Sequence, residues 1–470
     1  MKNQRLFKYL NDRSCALLGL GVSNLPLAYK LCEYGVSVSV FDKKSLSELG
    51  KDARALSERG VRFYKANGDF SGIDADVIFR SPGIRPDKKG ITAAVGRGSE
   101  LTSEMELFLK LTPARTFAVT GSDGKTTTTT LTGKFLEADG KRVYVGGNIG
   151  APLLCDMDEM KKEDCAVLEL SSFQLMTVSD APRYVAVTNV SENHLDWHTD
   201  MREYFAAKKN IVGERTERLV TNADCAVTLS FARECAVPET ILFSTRKTAD
   251  EVFALCQRCK TAITLRDGFI TVTENGKTRQ LLNTDSLRIP GAHNVENYMT
   301  AIGLTLGEVS NGVYDRVARE FLGVEHRLEF VRELGGVKYY NSSIDSSPAR
   351  SSAALSAMSG KSLVVICGGY DKNLDYAPLA EAIYAHGGVK AVILTGQTGE
   401  KIYRAITERS ENRPILVKKN DFTEAVLAAK DAAAAGDCVL LSPASASFDA
   451  FKNFVERGER FKNIVNEWSL

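Results

Sequence analysis

The strongest chemical signal in the chain is the run Thr120-Gly121-Ser122-Asp123-Gly124-Lys125-Thr126-Thr127, which follows the apolar residues Phe117, Ala118 and Val119. A strand that enters a glycine loop and then a helix opened by Lys and Thr gathers backbone amides, an ammonium group and a hydroxyl around one anion. This is the equipment of a nucleoside triphosphate site: Lys125 reaches terminal phosphates, Thr126 holds Mg²⁺, and the backbone of 121–124 cradles oxyanions. Val119 stands where the usual Walker spacing has its first glycine, so the loop is a compact Thr-Gly-x-x-Gly-Lys-Thr variant. The chain reads as an ATP-consuming enzyme.

Further candidates lie downstream. Glu169 interrupts the apolar strand 166–170. A buried, unpaired carboxylate is costly, so Glu169 must face a cation or a strong donor, either a metal ion or a structural salt bridge. His194 and His198 are four apart, but Leu195 and Asp196 break the H-E-x-x-H pattern, so one histidine near the nucleotide's Mg²⁺ is the better reading than zinc. Lys208 and Lys209 fall in a predicted helix over 201–212. Adjacent cations in an enclosed site lower each other's pKa, which would suit a nucleophile or a carbamylated lysine; taken alone, the pair reads as a solvated face. Asn294 and Asn297 share a helical face and could meet an adenine or ribose edge, or simply cap the helix, and Arg327 could clamp a phosphate.

These residues require a scaffold of parallel α/β units. Residues 14–42 read as a βαβ unit with the turn Gly19-Leu20-Gly21-Val22-Ser23-Asn24, Asn24 standing in for the third glycine, and with Asp42 ending the second strand where a ribose-reading acid belongs. That pattern suits a nucleotide or sugar-nucleotide diphosphate, with a nicotinamide cofactor as the competing reading. A strand over 76–79 runs into Ser81-Pro82-Gly83, and a turn at a strand's carboxyl end is where open α/β sheets bind ligands. Strands over 166–170 and 185–190 continue a second sheet, and Asn275-Gly276 signals a type I′ hairpin between 268–273 and 277–281. A third α/β segment has strands over 337–340, 362–366, 389–394 and 438–441, each followed by a polar turn, so one sheet edge becomes a binding face.

At 470 residues the chain exceeds one core and, at roughly 150 residues per domain, predicts about three domains. A net charge of +1 gives no global field for nucleic acid or an anionic membrane. No apolar run approaches the roughly 20 residues of a membrane span, and scattered cysteines suit a reducing cytoplasm. Cys256 and Cys259 form a lone C-x-x-C predicted to lie on a helix over 249–260, read as two unlinked thiols.

In their order along the whole chain, these motifs resemble the Mur ligase family: Ser81-Pro82-Gly83, the phosphate loop, Gly147-Asn148-Ile149-Gly150, Glu169 to Leu175, His194-Leu195-Asp196, Ala206-Ala207-Lys208, Gly291 to Asn297, His326-Arg327, Asp371-Lys372 and Ser442 to Asp449. The resemblance implies an α/β protein of three domains, with an N-terminal Rossmann-like domain over 1–102, a central P-loop ATPase-type sheet over 103–323 and a C-terminal Rossmann-like domain over 324–470. It implies an ATP- and Mg²⁺-dependent ligase joining D-glutamate to UDP-N-acetylmuramoyl-L-alanine through an acyl phosphate, in a cytoplasmic monomer.

By resemblance, Lys125, Glu169, His194 and Lys208 are catalytic, and Thr126, Glu169, His194 and Lys208 as a carbamate hold the metal. ATP falls to Gly121, Ser122, Asp123, Gly124, Lys125, Thr126, Thr127, Asn294, Asn297 and Arg327. The UDP-linked substrate falls to Val22, Ser23, Asp42, Lys43, Ser81, Gly83 and Asn148, which settles the nicotinamide alternative against NAD. D-Glutamate falls to Lys372, Ser447 and Phe454. The chain departs from the family at Asn193, commonly Asp, and at 341–347, where the family's Asn-Asp-Ser-Lys-Ala-Thr-Asn is Asn-Ser-Ser-Ile-Asp-Ser-Ser. Asp345 for the ATP ribose and Ser346 for D-glutamate are the expected substitutes. Alternatives are a Mur ligase using another amino acid, a folylpolyglutamate synthase-like enzyme, which the N-terminal domain opposes, and a non-catalytic sugar-nucleotide-binding protein, which the full catalytic set opposes.

Overall fold

A computed structural model of the chain describes residues 5–191, 197–289, 291–408 and 414–469. His194 and the departure at Asn193 lie outside the described residues. The described strands form three sheets.

The first sheet holds β1 (Cys15–Leu18), β2 (Val38–Asp42), β3 (Arg62–Lys65), β4 (Val77–Arg80) and β5 (Glu100–Thr102), in the order β3-β2-β1-β4-β5 with all pairings parallel. The winding reverses between β1 and β4. A reversal of this kind opens a crevice at the strands' carboxyl ends, which here carry the Gly19–Asn24 turn and Ser81.

The second sheet comprises β6 (Arg115–Thr120), β7 (Val143–Gly147), β8 (Cys165–Glu169), β9 (Tyr184–Val187), β10 (Arg218–Asn222), β11 (Glu239–Ser244), β12 (Cys259–Arg266), β13 (Phe269–Glu274) and β14 (Lys277–Asn283). Its order is β14-β13-β12-β11-β10-β9-β6-β8-β7, parallel from β7 to β12 and antiparallel through the β13–β14 hairpin. The expected type I′ turn is present: Asn275 and Gly276 have φ of 51° and 72°, the left-handed pair that matches strand twist. The helix expected over 249–260 is shorter. It ends at Leu255, Cys256 is extended, and Cys259 opens β12, so the two thiols are unlinked but not helical.

The third sheet contains β15 (Glu329–Leu334), β16 (Val337–Asn341), β17 (Leu363–Gly368), β18 (Val389–Thr395), β19 (Ile415–Lys418) and β20 (Cys438–Leu441), ordered β15-β16-β20-β17-β18-β19. Only β15 is antiparallel, so the polar turns after β16, β17, β18 and β20 share one edge as expected. Successive residues of one strand enter opposite cores: Leu363, Val365 and Cys367 join one apolar cluster, Val364 and Ile366 the other. Apolar burial on both faces explains why β17 reads as an unbroken hydrophobic run.

The chain forms two compact units, one of Met1–Asp285 with Val295–Val317, the other of Ser286–Asn294 with Ala318–Leu470. Among the described residues no helix is long and apolar enough to cross a membrane.

Candidate functional site

The phosphate loop is built by the carboxyl end of β6 and the helix Lys125–Ala138. Gly124 caps this helix in the left-handed region with φ 77°, and a Cβ there would lie 2.2 Å from the Asn297 Oδ1 atom. Glycine therefore satisfies both the backbone and the close approach of a buried asparagine. The threonines that follow are poor helix formers. Burial against the sheet offsets this, and the Thr130 and Thr132 hydroxyls are satisfied within the helix, donating to the carbonyls of Thr126 and Thr128 at 2.8 Å.

The exit of β9 sutures the loop. The Asp123 amide donates to Asn189 Oδ1 at 2.9 Å, the Ser122 amide to the Asn189 carbonyl at 2.8 Å, and the Thr188 hydroxyl to the Asp123 carbonyl at 2.6 Å. Sequence reasoning missed Thr188 and Asn189. The available signal was a pair of polar residues ending an apolar strand beside a second strand that carries the loop.

Two lysines converge on one carbonyl. Lys125 Nζ donates to the Gly121 and Ser122 carbonyls at 3.0 and 2.9 Å, and Lys208 Nζ donates to the same Gly121 carbonyl at 2.7 Å. Lys208 is 2% exposed, lies over the Tyr204 ring, and is held well below the usual lysine pKa by burial and then by Lys125. The solvated Lys-Lys face is thus corrected: Lys209 pairs with Glu234 at 2.5 Å and titrates above its ordinary value, so the neighbour that depresses Lys208 is Lys125 and not Lys209. A neutral buried amine can take up carbon dioxide as a carbamate; an ammonium cannot.

Glu169 ends β8 and is 2% exposed. Its Oε1 accepts from Asn148 Nδ2 at 2.8 Å, while its Oε2 is buried with no hydrogen-bond partner among the described residues. An orphaned carboxylate oxygen at this depth fits a hard cation, and the hydroxyl of Thr126 is a ligand of the same class, as a carbamate oxygen on Lys208 would be. Asn148, expected at the UDP-linked substrate, is bound to Glu169 through its side chain and its backbone amide. His198 is committed to structure, with Nδ1 on Glu203 at 3.2 Å and Nε2 on Ser172 Oγ at 2.9 Å. Burial lowers its pKa, and because Nδ1 faces a carboxylate that can only accept, the tautomer that fits these partners carries its proton on Nδ1 and leaves Nε2 to accept from Ser172.

At the N-terminal crevice, Asn24 is a buried hub. Its amide nitrogen lies within hydrogen-bond distance of the Leu18 and Gly19 carbonyls and of Ser81 Oγ, at 3.2, 2.9 and 3.2 Å. It ties the ends of β1 and β4 together, work that a third glycine could not do. Asp42 accepts from the Leu20 and Lys44 amides at 2.8 and 2.9 Å, shaping the turn. Val22, Lys43 and Gly83 are exposed there, with Ser23 and Ser81 partly so.

Asn294 and Asn297 both fall on the helix Ala292–Thr305 and are buried. In the second unit, Arg327 follows His326, which holds φ at 62°. Asp345 is buried, accepts from Ser442 Oγ at 2.9 Å, and is pushed up to about 6 by burial. Ser447 is buried, the Phe454 ring meets His326 edge-on, and exposed Lys372 lies over the Phe448 ring. Ser346 is partly buried beside Asp345. Sequence reading missed Arg457, which is 2% exposed and donates to the Ser343, Ser445 and Ala446 carbonyls, fastening the turns after β16 and β20 to the helix Phe454–Glu467.

Two family profiles match this chain: the Mur ligase middle domain over residues 119–305 and the Mur ligase glutamate ligase domain over residues 326–445. It is 43% identical to UDP-N-acetylmuramoylalanine--D-glutamate ligase of Ruminiclostridium cellulolyticum, over 99% of each chain. It is 44% identical to the ligase of the same name from Acetivibrio thermocellus, over 98% of this chain and 97% of that one. Among solved structures, UDP-N-acetylmuramate-alanine ligase of Thermotoga maritima superposes with a TM-score of 0.56 at 18% identity, over 97% of this chain and 99% of that one. A pseudomurein peptide ligase type C from Methanothermus fervidus gives 0.53 at 16% identity, over 97% and 100%. At those identities the structures report the fold.

Proposed function

This chain belongs to the Mur ligase family, ATP-dependent ligases of peptidoglycan precursor synthesis, and we propose that it adds D-glutamate to UDP-N-acetylmuramoyl-L-alanine. The amino-acid assignment is supported by likeness along the entire chain to relatives that carry that name. The observation that carries the chemistry is the buried Lys208 amine on the Gly121 carbonyl, beside a buried Glu169 with one oxygen unsatisfied.

In this reading the N-terminal crevice, with Val22, Ser23, Asp42, Lys43, Ser81 and Gly83, takes the UDP end of the substrate. Asn148 orients Glu169. The amides of 121–124 cradle the phosphates, with Asn297 against Gly124; Asn294, Arg327 and Asp345 are assigned to ATP by family resemblance alone. Lys125, released from its own loop carbonyls, follows the charge that builds on the transferred phosphoryl group. Thr126, Glu169, His194 and carbamylated Lys208 would hold Mg²⁺, which when bound neutralises phosphate charge.

The alanine carboxylate attacks the γ-phosphorus to give an acyl phosphate and ADP. The amine of D-glutamate, held through Lys372, Ser346, Ser447 and Phe454, then attacks the acyl carbon. An amide forms, the amine loses a proton, and phosphate leaves. Domain limits at 102 and 323, a cytoplasmic setting and a monomeric state complete the proposal; each span encloses one sheet.

With ATP, Mg²⁺ and UDP-N-acetylmuramoyl-L-alanine, the purified protein is expected to release phosphate only when D-glutamate is supplied. Equal turnover with L-lysine, meso-diaminopimelate or L-alanine would overturn the amino-acid assignment.

A further inference from the structure

The turn that follows β4 is gripped at both ends by arginines. Arg80 is fully buried and its Nη1 donates to the Pro82 and Ile84 carbonyls at 2.9 and 2.7 Å, so the turn wraps the guanidinium. Its Nη2 donates to the Phe173 carbonyl at 2.9 Å and Thr177 Oγ1 at 3.2 Å, on the segment that leaves β8 just after Glu169.

Arg85 makes the second grip. Its two terminal nitrogens meet the two oxygens of Glu203, Nη1 to Oε2 at 3.0 Å and Nη2 to Oε1 at 2.8 Å. Nη1 also donates to the Trp197 carbonyl at 2.8 Å, the guanidinium lies 5.1 Å from the Trp197 ring centroid, and the Trp197 indole donates to the Gly83 carbonyl at 3.0 Å. Such a fork fixes orientation as well as distance, which a single ammonium cannot do.

Glu203 opens the helix Met201–Lys209, whose last turn carries Lys208. It also accepts from the Thr199 amide at 2.9 Å and bonds His198 at 3.2 Å. The adjacent Tyr204 hydroxyl meets Ser122 Oγ of the phosphate loop at 2.9 Å. One rigid helix therefore connects the Ser81–Asp87 turn to Lys208 and the loop, a span of about 7.5 Å along its axis from Glu203 to Lys208.

We infer that Arg85 is a positioning residue: through Glu203 it sets the helix that carries Lys208, so that the turn expected to read the UDP-linked substrate also aligns the phosphoryl-transfer site. The inference rests on the ligase reading above. Arg85 is none of the residues assigned to ATP, metal or substrate; its partners are Asp87, Trp197 and Glu203. Its effect therefore falls on kcat rather than on ATP binding, since a small misplacement of an aligned group costs rate before it costs affinity.

Steady-state kinetics of Arg85→Ala, Glu203→Gln, the double variant and Arg85→Lys, with each substrate varied in turn, test this. Expected are kcat losses on the order of 10- to 100-fold in both single variants, with the KM for ATP within about twofold of wild type. The double variant should be no slower than the slower single one, and Arg85→Lys should recover part of kcat. Unchanged kcat in Arg85→Ala with only a raised KM for the UDP-linked substrate, or single losses that multiply in the double variant, would overturn the inference. Should Arg85→Ala fail to fold, wild-type kcat in both Glu203→Gln and Arg85→Lys would overturn it equally. An inactive wild-type enzyme sinks the ligase reading and this inference together, whereas an active wild type with unaffected variants sinks the inference alone.

Discussion

Replacing Gly124 with alanine probes the phosphate loop at its tightest point. The residue sits at φ 77°, and the new Cβ would meet Asn297 Oδ1 at 2.2 Å and Cγ at 3.3 Å. Left-handed backbone costs a non-glycine residue about 1–2 kcal/mol. The Asn297 amide must also withdraw, breaking its 3.3 Å bond from Thr128 Oγ1 within a buried setting, a further loss of about 1 kcal/mol. The sum is about 2–3 kcal/mol of stability, read from urea denaturation, together with an ATP affinity lowered by tenfold or more (about 1.4 kcal/mol) because cradle and asparagine move together. Gly140 provides the control. It lies just past the end of the same helix at φ 85°, and a Cβ added there would have nothing within 4 Å, so Gly140→Ala should cost only the backbone part and leave ATP binding unchanged. A Gly124→Ala protein with the stability loss of Gly140→Ala and unaltered ATP affinity would refute the close-approach argument.

Two buried titratable groups, Lys208 and Glu104, give the further outcomes. Lys208→Met should reduce turnover by on the order of 10²-fold or more without loss of melting temperature, because burying the amine is a cost and the Gly121 carbonyl keeps its bond from Lys125 at 3.0 Å; Lys208→Ala should regain part of its activity with small added carboxylates, and full activity without them would remove Lys208 from the mechanism. Glu104 is buried, accepts from the Leu154 amide at 2.9 Å, and is raised from 4.5 to about 7 by burial. Its contribution to stability is complete below pH 4.5 and is lost as pH rises toward and through 7, amounting to about 3 kcal/mol at most. Glu104→Gln should therefore melt higher than wild type at pH 8 and gain little at pH 4.5, and a pH-independent difference would contradict the burial argument.

The scaffold was legible where one local signal governed each element. β6, β8 and β9 are apolar runs with polar or glycine exits, and the Asn275-Gly276 turn announces itself because few other residue pairs accept two left-handed conformations. β15 and β19 escaped notice because they are sheet edges, exposed or only partly buried: charges break β15, and β19 offers just three apolar residues before Lys418, so neither shows the long apolar run of β17. The C-x-x-C segment misled because no glycine or proline marks the helix end at Leu255; the pairing of β12 with β11 and β13 overrides the local helical pattern.

At the site, residue types named the phosphate loop, but the state of Lys208 depended on packing. A Lys-Lys pair looks solvated in one dimension, and only the fold shows one amine beneath the loop and the other paired with Glu234. The roles of Arg85 and Arg457, and the tie that Asn24 makes, went unread for a related reason. Each has a decisive partner far along the chain, 118, 114 and 57 positions away, and no local periodicity encodes such contacts.

Isotope transfer tests the central claim most directly. UDP-N-acetylmuramoyl-L-alanine carrying ¹⁸O in both oxygens of the alanine carboxylate would be turned over with ATP, Mg²⁺ and D-glutamate, and phosphate and product analysed by mass spectrometry. An acyl phosphate requires one labelled oxygen in each released phosphate and the other in the new amide carbonyl. Phosphate released without label during D-glutamate-dependent amide formation would contradict it.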